Sequence, residues 1–351
     1  MKPIQFALLG YGRVAPTHAA AINSLTPDAR LAAVCDCDPA SLDQARTALD
    51  GTSPPVRYLT ELTELLADPA VDVVSVCTPS GLHARHGIAA AKAGKHVLVE
   101  KPLDVTLEAA ENLVRTCAEN RVHLFAVYQN RLNSTIQLLK AAVDKGRFGK
   151  IYAINSTVIW RREQSYYDSA PWRGTRAMDG GAFMNQGIHF LDAMHYIGGE
   201  MTGVQSALAT LGRNIECEDT GSALFRFRSG ALGNLFVTML GFSESEGTLT
   251  VLGEKGQVKI GGTALNTVEQ WSFAEPDPEQ DALAQNVDYH TASVYGNGHK
   301  SFYRQVLNTL QSGTPPAEAH PDLHPLRILL ELYTGATPAV SGTGVCPPEK
   351  A

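Results

Sequence analysis

Short apolar runs alternate with helical periodicities along the first third of the chain. The apolar runs predict buried strands at residues 4–9, 31–35, 56–58, 71–77, 96–99 and 122–127, and apolar residues every three or four positions predict helices at residues 19–25, 42–49, 62–66, 86–93 and 107–120. This alternation predicts an α/β fold with a parallel, doubly wound sheet. Because such sheets bind ligands beyond the carboxyl ends of their strands, the residues that follow each strand are the first candidates for chemistry.

The pattern changes after residue 130. A helix is predicted at residues 135–145, and longer alternating runs then predict strands at residues 151–160, 204–211, 222–227, 232–240, 247–252 and 257–260. These strands predict a large, mostly antiparallel open sheet with one face covered by helices, with two further helices at residues 301–310 and 323–335. The other face carries enough apolar side chains to predict burial against another subunit.

The first predicted strand ends in a glycine motif, G-Y-G-R-V-A, which begins at Gly10. Gly10 permits a tight turn, Gly12 lets the backbone approach a pyrophosphate, and the N–H groups at the start of the following helix favour an anion. Asp36 ends the second strand about 20 residues beyond the motif, where a carboxylate would bind ribose hydroxyls and repel a 2′-phosphate. The alternative is a glycine-rich structural turn, but the position of the motif between strand and helix favours a Rossmann domain that binds NAD.

Later strands of the same predicted sheet also end in polar residues. With the glycine motif they make up the predicted cofactor site: Gly10, Gly12, Arg13, Val14, Asp36, Thr78, Pro79, Ser80, His83, Glu100, Lys101 and Gln129. We therefore expect an NAD-binding Rossmann domain at residues 1–128 and an α+β domain for substrate binding and oligomerisation at residues 129–351.

A second candidate site lies in an amphipathic helix that follows Asp179. At about 100° per residue, one stripe of this helix is polar and consists of Asn185, His189, Asp192 and Tyr196, and a roughly opposite stripe is apolar and consists of Phe183, Gly187, Phe190, Met194 and Ile197. We expect one face to be buried and the other to be presented. A histidine in such a helix is often a packed or surface residue, so the stripe alone does not define a site.

Lys101 is the expected partner of this helix, because it ends a strand at the predicted nicotinamide edge, directly before Pro102. An ammonium at that edge would stabilise developing alkoxide charge, or would take a proton if its pKa is lowered. His189 can act as a general base at neutral pH, and Asn185 can bind a sugar hydroxyl. We therefore predict that Lys101 and His189 are catalytic. The alternative is a lysine that holds the turn and a histidine that packs against the sheet.

Residues 160–176, which lead into the helix, contain four arginines and four large aromatic residues. The predicted substrate-binding residues come from this loop, from the helix and from a later loop, and are Arg161, Arg162, Tyr166, Tyr167, Trp172, Arg173, Asn185, Asp192, Tyr295 and His299. Guanidinium groups and aromatic rings suit phosphate or carboxylate oxygens beside a planar base or a sugar face. In a chain with a formal net charge of -7, this local positive charge predicts an anionic small-molecule substrate.

The composition argues against several other functions. The chain has 351 residues, of which 44% are hydrophobic, and this suits two globular domains; the net charge of -7 argues against non-specific binding to nucleic acid or to an anionic membrane. The six cysteines form no C-x-x-C pair, so we expect reduced thiols without a disulfide framework or a metal site. The first apolar run is too short for a signal sequence or a membrane span, so we expect a cytoplasmic protein.

Several motifs together resemble the Gfo/Idh/MocA oxidoreductase family over essentially the whole chain. They are the glycine motif near residue 10, Thr78-Pro79-Ser80-x-x-His83, Glu100-Lys101-Pro102 and Gly187-x-His189-x-x-Asp192. Segments at residues 129–131, 146–152, 166–167, 172–174, 179–189, 215–220, 252–256 and 295–299 further resemble the branch that contains UDP-N-acetylglucosaminuronate 3-dehydrogenases, which serve the synthesis of bacterial surface polysaccharide.

The resemblance implies an NAD-linked oxidation at C3 of the nucleotide sugar, with Lys101 and His189 at the reacting hydroxyl. It also implies a cis Lys101–Pro102 bond and subunits joined through their open sheets, commonly as tetramers. Many family members carry an aspartate where this chain has Asn185, so a simple Asp-His relay is not available at that spacing. The proton acceptor is therefore either His189 or Lys101, with Asp192 as a candidate for orienting it. Two other functions stay open: a dehydrogenase of a free sugar or cyclitol, and a non-enzymatic NAD-binding regulator.

Overall fold

A computed structural model of the chain describes residues 2–52, 55–242, 246–291, 294–315 and 321–337. Within them, the first sheet has six strands: β1 (Ile4–Leu9), β2 (Ala29–Cys35), β3 (Arg57–Leu59), β4 (Val73–Val76), β5 (His96–Glu100) and β6 (Leu124–Val127). The helices between them are α1 (Ala15–Asn23), α2 (Pro39–Ala48), α3 (Leu62–Ala67), α4 (His83–Lys92) and α5 (Leu107–Glu119). All strand pairs are parallel, in the order β3-β2-β1-β4-β5-β6, which confirms the predicted doubly wound sheet.

The order of these strands reverses between β1 and β4, and this reversal creates a crevice beyond their carboxyl ends. Helices α2 and α5 begin with side-chain caps, from Asp38 and Thr106 respectively. Helix α1 begins after Val14 with no side-chain cap. The first N–H groups of α1 therefore have no side-chain acceptor at the place where the topology puts a ligand.

The second sheet has eight strands among the described residues: β7 (Ile151–Ile159), β8 (Met201–Ala209), β9 (Thr220–Phe227), β10 (Leu232–Thr238), β11 (Glu246–Gly253), β12 (Gly256–Gly261), β13 (Thr267–Phe273) and β14 (Ala336–Thr337). The order is β13-β12-β11-β7-β10-β9-β8-β14, and the pairs β7–β10 and β8–β14 are parallel while the others are antiparallel. This confirms the predicted mostly antiparallel sheet. The sequence pattern missed β13 and β14, which are a half-buried strand and a two-residue strand.

Helices of the second half of the chain are α6 (Ser134–Asp144), α7 (Gln164–Asp168), α8 (Ile188–Gly198), α9 (Pro278–Ala284), α10 (Gly298–Ser312) and α11 (His324–Thr334). A π-helical turn at Phe183–Gly187 precedes α8, so the predicted amphipathic helix is wound differently at its start. Helix α8 packs on the inner face of the second sheet, where the ring of Phe190 lies so close to Gly247 that a Cβ at this glycine would overlap it. The site helix is therefore fixed against the sheet.

The apolar stripe of this helix is buried, and the polar stripe is presented only in part, because Asn185 and Tyr196 are half-buried while His189 and Asp192 are buried. His189 and Asp192 on the polar stripe are as enclosed as Met194 on the apolar one. The polar stripe is covered because other parts of the chain reach it: Lys101 contacts its start, and Arg131 binds Asp192. The helix thus lies between the second sheet and the strand ends of the first.

Helix α10 belongs by sequence to the second domain but packs into the core of the first. Tyr303 is fully buried there, with its ring 5.2 Å from that of Phe6, and Val306 and Leu307 belong to the same apolar cluster. The domain boundary at residue 128 stays a prediction about how the sequence divides into domains. In the packing, the first domain is completed by a helix from the other end of the sequence.

The open face of the second sheet carries exposed apolar side chains. Leu224, Leu232 and Tyr152 are each more than half exposed, and Phe236 is 37% exposed, whereas the residues between them point inward and are buried.

No helix within the described residues is long and apolar enough to cross a membrane. Five cysteines are free thiols in the structure, and Cys346 lies outside the described residues.

Candidate active site

The glycine turn between β1 and α1 has the geometry that a dinucleotide requires. Gly10 has a φ of 90°, and a Cβ there would lie 2.9 Å from the carbonyl oxygen of Cys77, so only glycine fits. A Cβ at Gly12 would have nothing within 4 Å, which leaves an open approach to the backbone. Together with the uncapped start of α1 after Val14, this turn fits the pyrophosphate of NAD.

Asp36 lies at the carboxyl end of β2, beside this turn. Its two carboxylate oxygens accept hydrogen bonds from the backbone N–H groups of Tyr11, at 2.7 Å, and Asp38, at 2.9 Å. These bonds hold the carboxylate in place and leave it further acceptor capacity. A fixed anionic acceptor at this position suits the hydroxyls of an adenosine ribose and disfavours a 2′-phosphate.

His83 joins the ends of two strands of the first sheet. The ring is buried, with Nδ1 2.6 Å from the carbonyl oxygen of Pro102 and Nε2 2.7 Å from that of Thr78. Burial lowers the pKa of His83. The Lys101–Pro102 peptide bond is cis, as the resemblance implies. Because both ring nitrogens face the protein, the geometry favours a role for His83 in positioning the loops around the cofactor.

A buried network beneath this edge was missed by the sequence reasoning. The carboxylate of Glu100 lies 2.9 Å from Nε2 of His18, whose Nδ1 lies 2.8 Å from the hydroxyl of Tyr303; that hydroxyl is 3.1 Å from Oγ of Ser75. Burial opposes charge on Glu100, but its bond to His18 lowers its pKa to about 2. Burial likewise opposes charge on His18, but Cys77 and Tyr303, together with Glu100, raise its pKa well above the usual value. The pair is therefore an ion pair under the cofactor edge.

His299 lies beside this network. Its Nε2 is 4.0 Å from the Glu100 carboxylate, and neither ring nitrogen has a hydrogen-bond partner among the described residues. Burial lowers its pKa to about 3, so the ring is neutral. His18, Glu100 and His299 are the one group in the described part of the chain with the spacing of metal ligands. A proton lies between Nε2 of His18 and the Glu100 carboxylate, and these are two of the atoms that would have to bind such an ion.

Lys101 reaches across to the π-helical turn of the second domain. Its Nζ donates to the backbone carbonyl of Asn185 at 2.7 Å and lies 3.4 Å from the side-chain oxygen of the same residue. Burial lowers the pKa of Lys101, while the charges of Glu100 and Asp179 oppose this shift. The predicted catalytic lysine and the helix with the predicted catalytic histidine are therefore brought together.

His189 lies one turn beyond Asn185 and is 7% exposed. Neither of its ring nitrogens makes a hydrogen bond to a described residue. Burial, followed by the neighbouring charge of Lys101, lowers its pKa well below the usual value, so the imidazole is neutral and can accept a proton. Asp192 does not orient it, because the Asp192 carboxylate makes no hydrogen bond to the His189 ring and is bound instead by Arg131. We expect Asp192 to anchor the helix, and its predicted contact with substrate gains no support from this geometry.

The loop before the helix gathers three guanidinium groups around one ring. The central carbons of Arg13, Arg162 and Arg173 lie 5.2, 5.5 and 4.4 Å from the ring centroid of Tyr166, and Nη1 of Arg173 donates to the Tyr166 hydroxyl at 2.7 Å. None of the three forms an ion pair with a carboxylate of the described residues. Arg161, in contrast, is paired with Glu163. The loop therefore presents concentrated positive charge without a direct carboxylate partner among the described residues.

Other predicted residues of the substrate wall are buried or half-buried. Tyr167 is buried, Trp172 stacks with Arg173 at 4.4 Å, and the ring of Tyr295 lies edge-on to His299 at 6.2 Å.

Gln129, a predicted cofactor residue, is buried against the start of α10. Its carbonyl group lies so close to Gly298 that a Cβ at this glycine would overlap it. The remaining predicted cofactor residues, Pro79 and Ser80, begin a short 3-10 helix after β4. Their contacts with a cofactor or substrate stay predictions.

Comparison with known proteins gives the family. Residues 4–128 match the family described as "Oxidoreductase family, NAD-binding Rossmann fold", and residues 136–259 match the GFO/IDH/MocA C-terminal domain. The structure is similar to that of the WlbA dehydrogenase from Bordetella pertussis in complex with NADH and UDP-GlcNAcA, which is 42% identical, with a TM-score of 0.87 over 95% of this chain and 96% of that one.

Two further relatives are also similar to this chain over most of its length. The WlbA dehydrogenase from Chromobacterium violaceum, also in complex with NADH and UDP-GlcNAcA, is 41% identical, with a TM-score of 0.86 over 96% of this chain and 94% of that one. A myo-inositol 2-dehydrogenase from Thermotoga maritima is 27% identical over 326 residues, which is 91% of this chain and 92% of its own. The resemblance inferred from the sequence motifs is thus confirmed. The chain belongs to the Gfo/Idh/MocA family of oxidoreductases and is an NAD-dependent sugar dehydrogenase.

Proposed function

We propose that the protein oxidises the C3 hydroxyl of UDP-N-acetylglucosaminuronate (UDP-GlcNAcA), with NAD as hydride acceptor. The observation that carries this proposal is the cluster of guanidinium groups from Arg13, Arg162 and Arg173 around Tyr166, none of which is paired with a carboxylate of the described residues. Grouped cations repel one another, so a site that leaves them unpaired suits an anion of more than one charge. UDP-GlcNAcA offers a diphosphate and a carboxylate.

The similarity to the two WlbA dehydrogenases supports the same substrate. Both were solved with UDP-GlcNAcA, and both are more than 40% identical to this chain over nearly its whole length. The anionic character of that ligand agrees with the charge of the loop, which is an independent observation. A place in the synthesis of surface polysaccharide sugars is part of this proposal.

Lys101 and His189 divide the acid–base work in this proposal. NAD, when bound at the glycine turn, supplies the hydride acceptor. The Lys101 ammonium donates to the C3 oxygen and stabilises the negative charge that develops on it. His189, which is neutral and has no hydrogen-bond partner among the described residues, accepts the hydroxyl proton. Helix α8 holds the histidine, and the turn after β5 holds the lysine, so the reacting oxygen is fixed between the two domains.

A free cyclitol is the second candidate substrate, since the Thermotoga maritima relative is a myo-inositol 2-dehydrogenase. An uncharged cyclitol would give the guanidinium groups at Tyr166 no counter-charge. A non-enzymatic NAD-binding role is less consistent with a half-buried lysine whose pKa is lowered and a neutral histidine at the cofactor edge.

Competition by UDP tests the proposal. NADH formation is measured with UDP-GlcNAcA, UDP-N-acetylglucosamine, myo-inositol and glucose, each with and without millimolar UDP. We expect the highest kcat/KM with UDP-GlcNAcA and competitive inhibition by UDP. Turnover of myo-inositol that UDP leaves unchanged would contradict the proposed substrate, and no turnover of any sugar would contradict the proposed reaction.

We further propose that the open sheet face joins subunits. Leu224, Leu232, Phe236 and Tyr152 give this face an apolar centre. The charged side chain of Arg226 lies across from Leu232 on the neighbouring strand. Replacing Phe236 by Lys puts a charge in this apolar centre, so we expect light scattering to give a lower molar mass for the variant than for the wild type. A mass that is unchanged in this variant would place the interface elsewhere.

A further inference from the structure

Asp179 lies outside the stripe of polar residues that was predicted to form the site, yet it is connected to the lysine. Its side chain is buried, one carboxylate oxygen accepts the backbone N–H of Gly174 at 2.7 Å, and the other accepts the side-chain N–H of Asn185. Both oxygens are therefore acceptors, as in an ionised carboxylate. The residue joins the arginine-rich loop, through Gly174, to the π-helical turn.

These bonds fix the orientation of the Asn185 amide. Because its nitrogen donates to Asp179, its oxygen faces Lys101, 3.4 Å from Nζ. The backbone carbonyl of Asn185 accepts from the same ammonium at 2.7 Å. The lysine thus meets two acceptors from one residue, and its third N–H makes no hydrogen bond to a described residue.

The turn that carries Asp179 is closely packed. Gly180 and Gly181 have φ values of 82° and 91°, and a Cβ on either would overlap a neighbouring side chain, Met184 for the first and Glu218 for the second. Glu218 also accepts the backbone N–H of Phe183, the first residue of the π-helical turn, at 2.9 Å. The carboxylate of Asp179 is therefore held at a fixed distance from the start of the site helix.

We propose that Asp179 is the positioning residue of Lys101: it orients the Asn185 amide so that this side chain accepts from the ammonium, and it links the arginine-rich loop to the lysine through Gly174. This inference rests on the proposed role of Lys101 at the reacting hydroxyl. It explains how a chain with an amide at position 185 still has a carboxylate in its acid–base site. The acid lies one hydrogen bond further from the lysine and comes from the preceding turn.

An exchange of the two side chains tests the proposal. In Asp179→Asn, the oxygen of the new side-chain amide still accepts from the Gly174 N–H, and its nitrogen faces the Asn185 side chain. The Asn185 amide must then flip so that its oxygen accepts from this nitrogen. Its own nitrogen is thereby turned toward the Lys101 ammonium, which it cannot accept from. In Asn185→Asp two carboxylates face each other. In the double variant every donor meets an acceptor again, and a carboxylate faces Lys101 directly.

We expect each single variant to lower kcat by at least about tenfold with the KM for NAD unchanged, and the double variant to recover most of this loss. A purely structural role would lower the melting temperature of the single variants without this recovery of kcat. A wild-type kcat in Asp179→Asn would overturn the proposal. So would a double variant whose fold-loss of kcat equals the product of the fold-losses in the two single variants.

A second readout does not depend on the substrate. The rate at which an acylating reagent labels Lys101 is followed by mass spectrometry across pH. Because burial disfavours the ammonium form of Lys101 while the charges of Glu100 and Asp179 favour it, Asp179→Asn should move the labelling midpoint to lower pH and the double variant should move it back. An unmoved midpoint would contradict the positioning role. If wild-type protein does not turn over UDP-GlcNAcA, the proposed substrate fails while this measurement still decides the role of Asp179.

Discussion

The ammonium nitrogen of Lys101 lies 2.7 Å from the backbone carbonyl oxygen of Asn185. The lysine follows the fifth strand of the Rossmann sheet, and the asparagine lies in a π-helical turn of the other domain, four residues before His189. This contact is one of several, among them that of Arg13 with Tyr166, that join the NAD-binding Rossmann fold to the second half of the chain. It also sets the distance between the two residues for which we propose acid–base roles.

Replacing Lys101 or His189 by Ala should lower kcat by about 10²-fold or more. Lys101→Ala removes the donor that stabilises the developing alkoxide, and His189→Ala removes the proton acceptor. Neither residue contacts the glycine turn, so the Kd for NADH, measured by fluorescence titration, should stay within about twofold. Exposed Lys92→Ala is the control. Wild-type turnover by both site variants would rule out the proposed mechanism.

Arg173→Met should raise the KM for UDP-GlcNAcA about 10- to 100-fold with a smaller change in kcat, since a charge-assisted contact to substrate is lost. Arg161→Met is a matched comparison from the same loop: Arg161 is also predicted to bind substrate, but it is already paired with Glu163, so we expect a smaller effect. Steady-state kinetics with varied sugar at saturating NAD gives both constants. Equal effects of the two substitutions would mean that the cluster at Tyr166 is not the anion site.

Asp36→Asn should reduce the preference for NAD over NADP by about tenfold or more. The amide keeps an acceptor for the Tyr11 N–H but no longer repels a 2′-phosphate. The measurement is the ratio of kcat/KM for the two cofactors, with exposed Asp43→Asn as the control. A ratio that does not change would show that selectivity comes from another part of the crevice.

Glu218→Gln should change how stability depends on pH. Burial raises the pKa of Glu218 to about 7 from an ordinary value of 4.5. A carboxyl group that binds its proton more tightly when folded stabilises the fold below the unfolded pKa, and this contribution is lost as pH rises through the folded pKa. The shift corresponds to about 3 kcal/mol.

The free energy of unfolding of the wild type should therefore fall by more than that of Glu218→Gln between about pH 5 and about pH 8. The amide keeps the acceptor for the Phe183 N–H and the Tyr333 hydroxyl, so the variant should fold. Burial also raises the pKa of Asp179, and that contribution is common to both proteins. Parallel pH profiles from denaturant titrations would show that Glu218 does not titrate in this range.

The fold of the first domain could be read from the sequence because each of its signals is local. Buried strands are continuous apolar runs, and Gly10 with Asp36 mark the cofactor turn through short-range geometry. The antiparallel sheet was recognisable from alternation, except where β13 is half-buried and β14 has only two residues. Signals of this kind depend on neighbours along the chain.

The supporting network of the site could not be read in this way. Tyr303 contacts His18 across 285 positions of sequence, and no periodicity reports such a contact. The sequence pattern predicts Asn185 and His189 on one side of a helix, but the π-helical turn and the burial of His189 and Asp192 depend on tertiary packing. Asp179 was recognised as part of a motif without a function. Its role emerges only when its bond to Asn185 is seen.

Transfer of hydrogen from C3 of the sugar tests the account most directly. UDP-GlcNAcA that carries deuterium at C3 is incubated with NAD and excess enzyme, so that an unfavourable equilibrium still allows one turnover, and the reduced cofactor is examined by mass spectrometry. We predict that the NADH carries the deuterium. NADH without deuterium, or no NADH in the presence of bound UDP-GlcNAcA, would contradict oxidation at C3 by this enzyme.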